Sequence, residues 1–144
     1  MKWIYSTILF LLCAIVTVHV TADEAKEVVL DTQWYTSLQN SDAIKRLQML
    51  DALKDKVVKA QGQVIKVEES NLLKKKYRII LSVNLPKIKI LYYCYTDKED
   101  YSDLLQPQDT FEFSGQFVVA TPLNSRIDSI LCDIILEDGA VVVK

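Results

Sequence analysis

Glycine and proline are both scarce in this sequence, with three of each in 144 residues, and histidine occurs once. Three scattered glycines cannot build a glycine-rich phosphate loop. The one histidine, His19, lies inside an N-terminal apolar run, so the chain beyond it has none. The commonest general acid/base and metal ligand is therefore missing there. Serine–histidine and cysteine–histidine nucleophile pairs are excluded with it. Cysteine is equally sparse at three. Cys94 and Cys132 are too widely spaced for a paired-cysteine redox motif, and two thiols do not make a zinc site. Carboxylates are plentiful, but neither Glu68-Glu69 nor Glu99-Asp100 has the alternating oxygen ligands and glycine of a calcium loop. The sequence predicts no catalytic residue, no metal site and no cofactor, and so a protein that is not an enzyme.

Met1-Lys2 is a short basic start, followed by an apolar run from Trp3 to about Val20. Val20-Thr21-Ala22 then places small residues where a signal peptidase reads. Residues 1–22 are expected to be a secretory signal peptide, cleaved after Ala22, which makes the protein periplasmic or extracellular. The alternative is an uncleaved anchor, since the run approaches the ~20 residues that span a bilayer. On that alternative the N-terminal segment is the only membrane contact. Thr17, His19 and Thr21 argue for cleavage, and Cys13 lacks the small preceding residue that lipidation needs. Removing residues 1–22 leaves 122 residues with 16 basic and 19 acidic side chains, a net charge near −3. That balance is not the footprint of a general nucleic-acid binder. An exported chain meets an oxidising compartment, so Cys94 and Cys132 are a candidate disulfide. Two buried free thiols on strands are the equal alternative.

The mature chain divides into a lead-in over residues 23–40 and one domain over residues 41–144. Residues 23–30 are charged and short of core residues, which predicts loose order, with Trp34-Tyr35 available to pack back. Asn40 or Ser41 is a plausible N-cap. From Asp42 to Lys54, Ile44, Leu47 and Leu50, with Met49 and Leu53, recur at helical spacing and predict an amphipathic helix laid on the domain.

Residues 57–67 then read as a long strand with Gly62 at its middle, where a bulge or bend is expected. Such a bent strand serves two sides of a small barrel. Four further strands are predicted over residues 77–83, 88–95, 110–119 and 129–136. A short helix lies between residues 97 and 105, a second bulge is expected at Gly115, and a turn at Asp138-Gly139. No proline falls inside a predicted strand. The fold class expected is mainly β, a five-stranded OB-fold Greek-key barrel preceded by the amphipathic helix.

Residues 57–136 also carry Ala60-Gln-Gly-Gln-Val64, Tyr93-Cys-Tyr95, Leu105-Gln-Pro-Gln-Asp109, Phe113-Ser-Gly115 and Ser129-Ile-Leu-Cys-Asp133. In these the chain resembles the exported bacterial OB-fold proteins grouped as tRNA-anticodon-binding-like domains. The resemblance implies an OB-fold and assigns no catalytic residue.

OB-folds commonly bind on the face of their second and third strands. Here that face and its loops hold Lys74, Lys75, Lys76, Arg78, Lys89, Tyr93, Tyr95 and Arg126. Strand alternation sends Tyr92 to the opposite face from Tyr93 and Tyr95. The expectation is a non-enzymatic binding module of the cell envelope, its partner a protein or an anionic polymer. The alternative is a binder of single-stranded nucleic acid or oligosaccharide that uses the basic and aromatic groups together.

Overall fold

Alternating apolar residues from five strands fill one interior in the computed structural model, which describes residues 26–124 and 129–142. The elements are β1 (Glu27–Leu30), α1 (Thr32–Gln39), α2 (Ala43–Asp51), β2 (Val57–Glu69), β3 (Tyr77–Leu85), β4 (Ile88–Thr96), α3 (Tyr101–Leu104), β5 (Thr110–Pro122) and β6 (Ile130–Val142). The five predicted strands are β2 to β6. The sheet runs β1-β2-β3-β4-β6-β5, and β2 also pairs with β5, which closes a five-stranded barrel. β4 and β6 are parallel, while the other barrel pairs are antiparallel. This is an OB-fold barrel with one extra strand.

β2 serves both sides, as its length suggests: residues 57–63 pair with β5 and residues 63–69 with β3. The bulge does not fall at Gly62. It falls three residues later, where Val64 and Lys66 oppose the consecutive Leu81 and Ile80, leaving Ile65 as the extra residue. Gly62 has another task. A Cβ there would lie 3.1 Å from the Phe113 ring and 3.2 Å from the Ser82 carbonyl oxygen, so any side chain would need its neighbours to give by a few tenths of an ångström.

A bulge is present at Gly115, with the extra residue on the partner strand. Asp138 and Gly139 together oppose it, between the pairs Gln116–Glu137 and Ser114–Ala140. The predicted turn at Asp138-Gly139 is thus a bulge, with Asp138 in the left-handed region, and β6 continues through Val142. Pro122 stands as the last residue of β5, at a strand end where its missing N–H is tolerated.

The lead-in is more ordered than its charge suggests. Glu27–Leu30 pairs in parallel with residues 57–60, and α1 follows at once, capped by the Asp31 side chain accepting from the Trp34 N–H at 2.9 Å. Leu30, Tyr35 and Leu38 are buried in the common core, so these few apolar residues suffice to dock the segment.

α2 is capped by Asp42, whose carboxylate accepts from the Lys45 N–H at 2.8 Å. Ser41 instead donates back to the Ser37 carbonyl at 2.7 Å. Only the C-terminal end of this helix meets the barrel, through Met49, Leu50 and the following Leu53. Ile44 and Leu47 are 72% and 57% exposed, against the expectation of one continuous buried face. Arg46 reaches back to the last carbonyls of α1, Leu38 at 3.0 Å and Gln39 at 2.9 Å, tying the two helices together.

Inside the barrel, Tyr92 and Phe113 meet edge-on with centroids 4.9 Å apart. α3 is one turn, and Tyr101 fixes it to β6 by accepting from the Val141 N–H at 2.9 Å. Leu104, unlike the buried Tyr101 and Leu105, is exposed.

Candidate ligand-binding face

On the outside of the barrel, one cross-strand row decides the chemistry of the predicted face. Glu68 on β2 pairs with Arg78 on β3, and Arg78 with Tyr95 on β4. Cross-strand neighbours on one face lie about 5 Å apart, within side-chain reach. The Arg78 guanidinium donates through Nε to Glu68 Oε1 at 2.8 Å, and its Nη2 bonds the same oxygen. Nη1 donates to the Tyr95 hydroxyl at 3.3 Å. The guanidinium carbon lies 5.4 Å from the Tyr93 ring centre and 5.9 Å from that of Tyr95. Its hydrogen bonds to Glu68 and then Tyr95 raise the Arg78 pKa. Glu68 is held below the usual carboxylate range, by its bond to Lys66 first and to Arg78 second.

The lysine run is divided in the same way. Lys75 bends inward, with its side chain only 17% exposed, and bonds Asp138 at 2.5 Å and Asp97 at 3.3 Å. The hydrogen bond to Asp138 is the main cause of its raised pKa. Lys74 and Lys76 are exposed on either side. The Lys76 backbone N–H adds a 3.2 Å bond to Asp97. Leu73 and Lys74 both have positive φ, so this loop turns through left-handed backbone that Lys75 staples to its neighbours.

Of the predicted residues, the fold brings Arg78, Tyr93 and Tyr95 together. Tyr95 is 2% exposed and bonded to Arg78, so its ring is closed to a stacking ligand. Tyr93 is half-buried. Lys89 shares their strand face but sits in register with Asn84. Six residues along β3 separate it from the Arg78 row, about 20 Å at 3.3 Å per residue. Arg126 lies outside the described residues. Tyr92 points into the core, as alternation requires.

Cys94 and Cys132 are free and buried. The parallel register puts Cys132 opposite Ile90 and Cys94 opposite Leu136. The four-residue offset is about 13 Å along the strands, beyond the ~7 Å Cα separation a disulfide allows. The disulfide alternative is corrected on this geometry. Burial pushes the Cys132 thiol up to about 12 and the Cys94 thiol higher still.

The sequence reading missed Asp133. It faces outward on β6, opposite Leu91 on β4 and Thr121 on β5. Its Oδ1 is buried without a hydrogen-bond partner, and desolvation raises its pKa. The strand pattern held the signal, since Asp133 alternates with the buried Cys132 and Ile134. Also missed was a groove of about 870 Å³ between β1, α1 and the ends of β2 and β3, with Glu27, Asp31, Gln61, Gln63 and Asn84 on its walls. Reading residues 23–30 as loosely ordered removed one wall of it. Among the described residues, no cluster of three or more histidine, cysteine, aspartate or glutamate side chains is placed to hold a metal ion.

No family model matches the sequence, and no curated protein matches it significantly. Solved structures do. A "putative nucleic acid-binding lipoprotein" from Klebsiella pneumoniae superposes with a TM-score of 0.51 at 12% identity, over 81% of this chain and 92% of that one. DNA-binding domain A of replication protein A from S. cerevisiae matches with a TM-score of 0.37 at 11% identity, over 59% of this chain and 80% of that one. At 12% identity the Klebsiella likeness shows a shared fold. It agrees with the OB-fold traced above.

Proposed function

We propose that this chain is a non-enzymatic, exported OB-fold module whose outer β3–β4 face binds a protein of the cell envelope. The observation that carries the choice of partner is the prior pairing of the central cations. Arg78 is bonded to Glu68, and Lys75 to Asp97 and Asp138. A polyanion gains affinity by replacing counterions on free cations, and these two cations already have protein carboxylates. What the middle of the face offers is the Tyr93 ring and apolar side chains. A half-buried aromatic with an apolar surround is the composition of a protein-contact centre. The lipoprotein description of the Klebsiella structure supports an envelope setting, and the N-terminal apolar run supports export.

Single-stranded nucleic acid is the second reading. It rests on the exposed Lys74, Lys76 and Lys89 and on the nucleic-acid-binding description of that same structure. Fluorescence anisotropy of a labelled mixed-sequence single-stranded oligonucleotide, at low and moderate salt, separates the two. The protein-binding reading expects no salt-sensitive binding at micromolar protein. Salt-sensitive binding that weakens in Lys74→Ala/Lys76→Ala and in Tyr93→Ala would replace it with the second. A photo-crosslinker at position 93 supplies the positive test. It should yield a discrete adduct with an envelope protein, while the same group at position 45 on α2 should not.

A further inference from the structure

Asp133 is a carboxylate without a partner in the middle of an apolar strand surface. Leu91 and Thr121 flank it in register, and one step along the strands Tyr93, Ile135 and Val119 form the next row. Leu131 lies one step the other way, opposite Lys89. Its Oδ1 is shut off from solvent and accepts no hydrogen bond. No described lysine or arginine lies within ion-pair distance of either carboxylate oxygen: Arg78 is committed to Glu68 and Tyr95, and Lys89 forms no ion pair. Desolvating a carboxylate without compensation is costly, and buried orphan acceptors are rare in folded proteins. The isolated barrel gains nothing visible from this charge, since a threonine or leucine would suit its surroundings as well.

We infer that Asp133 is the receptor for a cationic side chain, arginine or lysine, presented by the partner protein. The inference rests on the proposal that the outer strand face binds a protein, and it names what that protein must bring. The incoming ammonium or guanidinium meets the carboxylate at Oδ2, the oxygen that is not enclosed, and offsets the charge shared with the enclosed Oδ1, while its aliphatic stem lies along Leu91 and Tyr93, as long cationic side chains do on apolar surfaces. Arginine suits the site best, because it is less strongly hydrated and packs against aromatic rings. Charge complementarity sets the sign. The same carboxylate repels a phosphate or a partner aspartate from the centre of the face, which gives the surface selectivity as well as attraction.

Asp133→Asn keeps the shape and removes the charge. In the free protein it should raise the thermal midpoint, because the desolvated charge is relieved; a lowered midpoint would mean that Asp133 already has an internal role and would overturn the inference. Binding is read by titrating the ¹⁵N-labelled mature protein with three capped tripeptides, Leu-Arg-Leu, Leu-citrulline-Leu and Leu-Glu-Leu. The arginine peptide should shift the amides of Leu91, Tyr93, Asp133 and Ile135. Citrulline, neutral and nearly isosteric, should bind about tenfold more weakly, the loss expected for a charge-assisted contact. Asp133→Asn should erase the difference between those two. Equal binding of arginine and citrulline, shifts mapping elsewhere, or no shift at millimolar peptide would each overturn the role of Asp133. The crosslinking test at position 93 reports on the face independently. An adduct that forms equally well in Asp133→Asn would keep the protein-binding reading and sink only this contact.

Discussion

The hydroxyls of Tyr35 and Tyr92 meet at 2.7 Å inside the protein, although 57 residues separate them in sequence. Tyr92 is a core residue of β4, and Tyr35 comes from the helix that follows the extra strand. This bond gives each buried phenol a partner and couples α1 to the barrel. Tyr35→Phe should destabilise the protein by about 1–3 kcal/mol, the usual penalty for stranding a buried hydroxyl. Adding Tyr92→Phe should recover part of that loss, since neither ring then carries an unpaired group. Urea unfolding of the single and double variants gives the comparison.

The same pair predicts alkaline unfolding. Burial pushes the Tyr35 hydroxyl up to about 12, and Tyr92 is also raised well above its ordinary value, by burial first and by Tyr35 second. A phenol in the unfolded chain ionises near 10. A group whose pKa is raised on folding contributes stability that is complete below its unfolded value and lost as pH rises through its folded value. Stability should therefore fall from about pH 10 upward, with these two tyrosines ionising only as the fold opens. Tyrosinate absorbance and circular dichroism followed together should change in step; early ionisation of all seven tyrosines in the folded state would contradict it.

Gly115 tolerates no side chain. A Cβ would stand 2.8 Å from Leu136 Cβ and 3.1 Å from the Glu137 carbonyl oxygen, at the bulge where β5 faces β6. Gly115→Ala should cost about 1–3 kcal/mol, as overpacking does. Gly62→Ala has slightly more room, its nearest neighbour being the edge of the Phe113 ring at 3.1 Å, and should cost less. Chemical denaturation of both variants tests the order.

The cysteines should behave as inert thiols. Both are buried, and burial raises both pKa values, which suppresses the reactive thiolate. The native protein produced without residues 1–22 should resist a thiol reagent, then react with two equivalents on unfolding, with the same gel mobility whether or not reductant is present. Faster mobility without reductant would reveal a crosslink that the strand register forbids.

Within the lysine run, the middle residue should matter most for order. Lys74→Ala and Lys76→Ala should leave the denaturation midpoint unchanged. Lys75→Ala removes the contacts to Asp97 and Asp138 and should speed amide exchange through residues 72–76 and at Asp138. Equal exchange in all three variants would show that the staple is idle.

Much of the barrel was legible because strand alternation is a local property. Tyr77, Ile79, Leu81 and Val83 declare one face by their spacing alone, and the short loops between such runs leave few ways to connect them. The exceptions have a common cause. Residues 23–30 looked loosely ordered, and the segment up to residue 39 shows no periodic pattern, because its three buried side chains, Leu30, Tyr35 and Leu38, are too few to make one. Only the edge of β2 and the hydroxyl of Tyr92 turn them into a strand and a helix. Ile44 and Leu47 looked like core because helical spacing says that residues share a face, and says nothing of where the neighbouring element ends.

The candidate face divides in the same way. Sequence alone determined that Tyr93 and Tyr95 lie on one side of β4 and Tyr92 on the other, since successive side chains must alternate. It determined too that histidine chemistry is absent beyond residue 19. Only the tertiary structure decided which charges are spent. Lys75 meets Asp138 across 63 residues of chain, and Arg78 meets Glu68 because the strands fold back in that register. The tertiary structure also left Asp133 without a counter-charge. Coulomb attraction falls with distance in space and is blind to separation in sequence, so the run of three lysines could not reveal its own neutral centre.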